Sequence, residues 1–176
     1  SNCNSGIALV GYETTTPFTF ADTGNEAGGN LSGNGNSIFN YGGAPAAANS
    51  ASGIYVSNQF GVICSNNTII NNNGSGVSHS NSLRGISVVG GIPANGNFNK
   101  NRIQLKRSGS LAELAGLSII TTTPTVASIL NINQNNISAE YPAATLGTFY
   151  GIYVSGVHTV NILNDSIHNV LYNNQV

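Results

Sequence analysis

A chain of 176 residues is long enough for one domain with a substantial core. Only 5 basic and 6 acidic side chains give 6% charged residues and a formal charge of -1, which excludes the phosphate-neutralising surface that nucleic-acid binding requires. No apolar run approaches a bilayer-spanning length, and 28 Asn with 22 Gly make more than a quarter of the chain turn-forming residues.

The chain opens Ser1-Asn2-Cys3-Asn4 without a charged-then-apolar leader, and reads as a fragment whose signal peptide is removed or lies upstream. Cys3 and Cys64 lack a CxxC spacing or a nearby His pair, which argues against zinc; a buried thiol at Cys64 and an unrelated Cys3 are expected, with one disulfide as the alternative. Scarce charge with abundant Asn, Ser and Thr points to an extracellular or cell-surface setting.

In chain order, a faint first marker Gly6-Ile7-Ala8-Leu9 is followed by a Gly- and Thr-rich insertion at 11–30 and another at 40–52, both read as loops. The marker then recurs as Gly53-Ile54-Tyr55-Val56, Gly85-Ile86-Ser87-Val88, Gly116-Leu117-Ser118-Ile119 and Gly151-Ile152-Tyr153-Val154, each read as the start of a short alternating strand. A third loop, 106–115, contains Ser110-Leu111-Ala112-Glu113, whose S-x-x-E form predicts one helical turn.

A second marker keeps the same period. Ile38, Ile69, Ile103, Ile137 and Ile167 are spaced by 31, 34, 34 and 30 residues, and two residues before them stand Asn36, Asn67, Asn101, Asn135 and Asp165. Five before lie Gly33, Cys64, Phe98, Ile132 and Ile162, and seven before lie Leu31, Val62, Gly96, Leu130 and Val160. The apolar phase slips by one residue at the Asn, which marks a bend between the second and third strand of each unit. Asn tolerates left-handed backbone, and its amide both donates and accepts, so stacked corners predict a hydrogen-bonded ladder. Asp165 accepts only, which suggests a ladder end, a cation or a looser corner. A lone unit of three strands buries too little apolar surface to fold, so the units must stack as a solenoid.

The GIYV...N-x-I pattern over residues 5 to 176 resembles the right-handed parallel β-helix of the pectate-lyase-like superfamily, with its internal asparagine ladder. It resembles in particular the coils of very large secreted surface proteins of Bacteroidota. The expected fold is therefore all-β, one parallel β-helix over 1–176, with coils at roughly 5–40, 53–73, 85–106, 116–139 and 151–170. The resemblance implies a non-catalytic structural or adhesive module, a segment continuing into further repeats of its parent chain, and export by type IX secretion, with glycans or the secretion machinery as partners. A carbohydrate-active or glycan-binding β-helix is the alternative, since the fold hosts both.

Site candidates are few. Lys100, Arg102, Lys106 and Arg107 hold four of the five basic residues; Lys100, Arg102, Gln104 and Lys106 alternate with Asn101, Ile103 and Leu105 and should point outward together, as a solvated face that could grip an anionic sugar. Tyr55 and Tyr153 project from matching strand positions and could stack on sugars, though three coils apart they form no continuous platform. Glu13, Asp22, Glu26, Glu113, Glu140 and Asp165 are scattered without a D-x-D or DD pair, so no acid-base pair, metal or cofactor is expected. Cys64 with His79, His158 or His168 lacks any spacing that fixes a nucleophile geometry. The runs Thr14–Thr16 and Thr121–Thr123 lack the coil-by-coil repetition that an ice- or mineral-binding face needs.

Overall fold

The computed structural model describes residues 3–12, 22–43, 49–90, 95–109, 112–121, 128–144, 146–156 and 159–173. Three five-stranded parallel sheets run along the molecule, and the chain visits each in turn on every rung. Sheet 1 contains Ser5–Val10, Ala51–Ser57, Leu83–Gly90, Leu114–Thr121 and Phe149–Ser155. Sheet 2 contains Glu26–Gly28, Ile63–Ser65, Gly96–Asn99, Ile129–Asn133 and Thr159–Leu163; sheet 3 contains Ser37–Phe39, Thr68–Asn71, Arg102–Lys106, Asn136–Tyr141 and Ser166–Tyr172. The chain is thus an all-β parallel solenoid. Two 3-10 turns, Ser32–Asn34 and Ser75–Ser78, are the helical elements among the described residues. The turn expected at Ser110–Glu113 begins outside them.

The predicted register holds on sheet 3, where Ile38, Ile69, Ile103, Ile137 and Ile167 pair in one file. Sheet 2 stacks Ala27, Cys64, Phe98, Ile132 and Ile162, and sheet 1 stacks Ile7, Ile54, Ile86, Leu117 and Ile152. These three files fill the interior, because alternate side chains of every strand face it.

Three details differ from the sequence reading. The sheet-1 strands start before the Gly-Ile marker, and the glycine sits within them: Ala51 and Ile54 are both buried although three residues apart, so the apolar phase slips at Gly53. The reason is steric. A Cβ at Gly6, Gly53, Gly85, Gly116 or Gly151 would stand 2.3 to 2.6 Å from a methyl of the repeat isoleucine on the same rung, so the two recurring markers are the two halves of one contact.

The second difference lies in the first rung. Its sheet-2 strand is Glu26–Gly28, inside the 11–30 segment read as loop, and Ala27 rather than Gly33 pairs with Cys64. Leu31 is exposed and Gly33 lies in the 3-10 turn, an insertion at the corner. One inward alanine in a three-residue strand carries too little alternation to be read.

The third concerns the bend. On rungs two to five the left-handed backbone belongs to the residue before the ladder position, Asn66, Lys100, Gln134 and Asn164, with φ between 57° and 60°, whereas Gly35 before Asn36 is extended. The inward asparagine follows it. Lys100 and Gln134 lack the local side-chain compensation that makes Asn tolerant of this region. Their backbone N–H groups are tied to the next rung at Asn133 and Leu163, which helps hold the corner.

Candidate functional site

The most highly organised polar group is the corner ladder. The Nδ2 of Asn36, Asn67, Asn101 and Asn135 each donates to the Oδ1 one rung on, at 2.9, 3.0, 2.9 and 2.7 Å, the last acceptor being Asp165. The same Oδ1 atoms accept the backbone N–H of the preceding ladder residue at 2.7 to 3.1 Å. Nδ2 of Asn67, Asn101 and Asn135 also donates to the carbonyls of Ala27, Cys64 and Phe98 on sheet 2 of the rung before. Each of these three asparagines therefore makes four side-chain hydrogen bonds, the full capacity of a buried amide. Asp165 ends the series with both bonds on Oδ1, while Oδ2 is buried without a partner.

The basic cluster does not stay together. In sheet 3 Ile103 and Leu105 face inward, and the same parity carries Arg107 into the interior, where it is 1% exposed. Its guanidinium donates Nη1 to the Asn81 carbonyl and Nη2 to the Ser80 carbonyl at 2.8 Å, and lies 5.6 Å from the centre of the Tyr141 ring. Two carbonyls and an aromatic face replace a carboxylate there. Arg107 thus pins the loop of residues 80–81, and it leaves the proposed sugar-gripping set. Lys100 is exposed at the corner rather than on the sheet face.

Arg102 and Lys106 do share the outer face of sheet 3 with Gln104. Lys106 Nζ is 2.8 Å from Glu140 Oε2, and Arg102 donates to Gln104 Oε1 at 3.2 Å. On the next rungs lie Asn136 and Ser138, then His168, whose Nε2 donates to Asn136 Oδ1 at 2.7 Å. Beside them a groove of about 140 Å³ is lined by Asn72, Gln104, Ser138, Glu140 and Asn169 over a floor at Leu105 and Ala139. A bulge between Ser138 and Glu140 shifts the register opposite Asn169, whose φ is 50°, and this local kink shapes the groove. Amides, a hydroxyl, a carboxylate and nearby cations can make the paired hydrogen bonds that a sugar's hydroxyls need.

The other candidates are dispersed. Tyr55 and Tyr153 occupy one register of sheet 1, separated by Ser87 and Ser118, and Tyr153 packs on Tyr150 with ring centres 4.8 Å apart. Asp22 lies on the short strand Asp22–Thr23, which pairs with Gln59–Phe60, and Glu26 opens the first sheet-2 strand. Glu113 pairs with Arg84 at 2.5 Å. Among the described residues no three His, Cys, Asp or Glu side chains converge as a metal site would require. Glu13, His158 and Thr14–Thr16 lie outside the described residues, as do Thr122 and Thr123.

Cys3 is exposed and Cys64 buried, and both are free thiols; burial pushes the Cys64 thiol up to about 12. His79 is buried, with Nδ1 accepting from the Gly43 N–H at 3.2 Å and Nε2 3.0 Å from the Asn49 carbonyl. Since a carbonyl only accepts, Nε2 carries the proton and the ring is neutral. Burial holds this imidazole below its ordinary value; the Asn49 hydrogen bond opposes the shift and the Arg107 charge adds to it.

One polar row was missed in the sequence. Asn97, Asn131 and Asn161 form a second ladder on the outside of sheet 2, with Nδ2 of Asn131 and Asn161 donating to the Oδ1 one rung back at 3.0 Å each. The signal was present as Asn one residue before Phe98, Ile132 and Ile162. Comparison with protein-family models, with curated proteins and with solved structures finds no match in any of the three.

Proposed function

We propose that this chain is a structural or adhesive module of a secreted or cell-surface protein, a stretch of right-handed parallel β-helix of the pectate-lyase-like kind serving as stalk or spacer. The observation that carries the reading is the use made of the buried polar side chains. The internal ladder saturates the amides of Asn67, Asn101 and Asn135, while Arg107 and His79 are held by loop carbonyls and an N–H. Chemistry that in an enzyme would be turned toward a substrate is turned here toward the fold itself. The resemblance to Bacteroidota surface coils extends the proposal to type IX export, and to further coils of a parent chain as the layer over the fifth rung.

A second reading has a specific observation in its favour. The sheet-3 groove beside Arg102 and Lys106 offers amide, hydroxyl and charged groups to a glycan, with a uronate or sulfated sugar the chemistry its cations suit. Incubation with alginate, pectin and glycosaminoglycans, followed by a glycan array, separates the two. The structural reading expects neither turnover nor a retained glycan. Calcium-dependent unsaturated product, abolished by Arg102→Ala, would overturn it in favour of a lyase; array binding lost with Arg102→Ala and without turnover would overturn it in favour of a lectin.

A further inference from the structure

The chain carries three Asn-Gly pairs, Asn34-Gly35, Asn73-Gly74 and Asn95-Gly96, and the fold treats them differently. In such a pair the side-chain amide lies next to a backbone nitrogen that no Cβ shields, so the nitrogen can attack the amide carbon once the peptide plane between them turns. All three asparagines are exposed. Their glycines are not alike: Gly96 is buried, Gly35 half-buried and Gly74 exposed.

The surroundings follow the same order. Gly96 begins the strand Gly96–Asn99 and pairs with Leu130 of the next rung, while Asn95 Oδ1 is already taken by the Ile129 N–H at 3.1 Å. Closure there would break a strand and a side-chain anchor together. Gly35 is extended and pressed against the backbone of Asn66, so closely that a Cβ on it would overlap the Asn66 carbonyl oxygen. Its peptide plane has no room to turn on that side. Gly74 sits in the left-handed region at φ 70°, and its N–H has no partner among the described residues. Only its carbonyl is tied, to the Val77 N–H at 3.4 Å. Nearest to where a Cβ would stand is the amide end of Asn40, at 3.3 to 3.4 Å, a side chain able to swing away.

We propose that Asn73 is a site of self-modification in the folded chain, with the Gly74 nitrogen as its nucleophile. The nitrogen gives up its proton and bonds to Asn73 Cγ; the Cγ–Nδ2 bond breaks, and Nδ2 leaves as ammonia, taking a proton in exchange. Water then opens the five-membered imide. Opening at Cγ restores the original backbone with a side-chain carboxylate, and opening at the main-chain carbonyl sends the backbone through Cγ, one methylene longer. Water is the only co-reactant. Either product makes the formal charge of -1 one unit more negative in a chain with 11 charged side chains. The change falls in an exposed turn, between the strand Thr68–Asn71 and the residues 80–81 that Arg107 holds, so the rungs need not move. It also falls beside Asn72, which lines the sheet-3 groove with Glu140, and so adds negative charge at the rim of that groove.

The test is peptide mapping by mass spectrometry over a time course at neutral pH, on the full folded chain and on the same chain in urea, with circular dichroism to confirm each state. In the folded chain Asn73 is expected to convert to acid at least about tenfold faster than Asn34 or Asn95, a barrier difference of about 1.4 kcal/mol, and to give both backbone products. In urea the three pairs are expected to convert at similar rates, because unfolding removes the contacts that set them apart. Conversion of Asn34 or Asn95 in the folded chain as fast as that of Asn73 would overturn the proposal, as would an Asn73 that converts only in urea. The same ordering in both states would also overturn it, by tracing the preference to neighbouring residues rather than to the fold. Because the readout is mass, these outcomes are independent of the functional reading above.

Discussion

Truncating Asn101 to alanine tests whether the ladder holds the rungs together or merely decorates them. The side chain makes four bonds, donating to Asn135 Oδ1 at 2.9 Å and the Cys64 carbonyl at 2.8 Å, and accepting from Asn67 Nδ2 and N–H at 3.0 and 3.1 Å. At a net worth of about 1 kcal/mol each these bonds contribute about 4 kcal/mol. The substitution also deprives two donors on Asn67 and one carbonyl of the buried partners they have, and a stranded buried group costs about 1 to 3 kcal/mol. A loss of about 4 to 8 kcal/mol follows, a large part of the roughly 5 to 15 kcal/mol of a whole domain. Asn36→Ala provides the contrast. It removes one donated bond at the partly exposed first rung, and Asn67 Oδ1 keeps the Asn36 N–H, so the expected loss is about 1 kcal/mol. Urea unfolding followed by circular dichroism measures both as shifts in midpoint. If Asn101→Ala costs no more than Asn36→Ala, the ladder is not what binds rung to rung, and the energetic reasoning fails.

Two further outcomes are expected. Gly85→Ala should lose about 1 to 3 kcal/mol or more in the same unfolding assay, since its Cβ would stand 2.5 Å from the Gly116 carbonyl oxygen and 2.6 Å from Ile103 Cγ2. Gly33→Ala, with no atom within 4 Å, should change stability by less than about 0.5 kcal/mol, and equal effects at the two sites would refute the steric account. His79, held below its ordinary value by burial, binds its proton more readily when the chain is unfolded. Its contribution to stability is therefore complete above about pH 6.5 and is lost as the pH falls below that value toward its depressed folded one. Subtracting the profile of His79→Gln from that of the parent should leave a difference that is flat above that pH and declines below it, by at most about 1.4 kcal/mol per pH unit. A difference that grows on acidification would show that the buried ring is charged.

The period, the file of five isoleucines and the ladder corner were legible in the residues, because a solenoid repeats one environment and so repeats the side chain that fits it. The Gly-Ile marker was legible as a pattern but not as a cause. Only the fold shows that each glycine lacks a Cβ because the isoleucine of its own rung, 16 to 32 residues later, occupies that space. Arg107 was grouped with Lys100, Arg102 and Lys106 on proximity and charge, although strand parity already directed it inward. What the sequence could not supply was a partner for a buried guanidinium, since that partner is a pair of carbonyls and a tyrosine brought together by stacking. The strand at Glu26–Gly28 is defined by pairing with Ile63–Ser65 rather than by any alternation of its own.

Local chemistry thus determined that this chain forms parallel rungs, which residues line them and where they bend, because those choices recur every thirty or so residues and are enforced by near neighbours. Tertiary structure alone decided which polar groups are consumed inside, as at Arg107, and which stay on the outer face of sheet 3, as at Arg102 and Gln104. Those properties depend on what lies one rung above or below, a relation that exists only once the rungs are stacked.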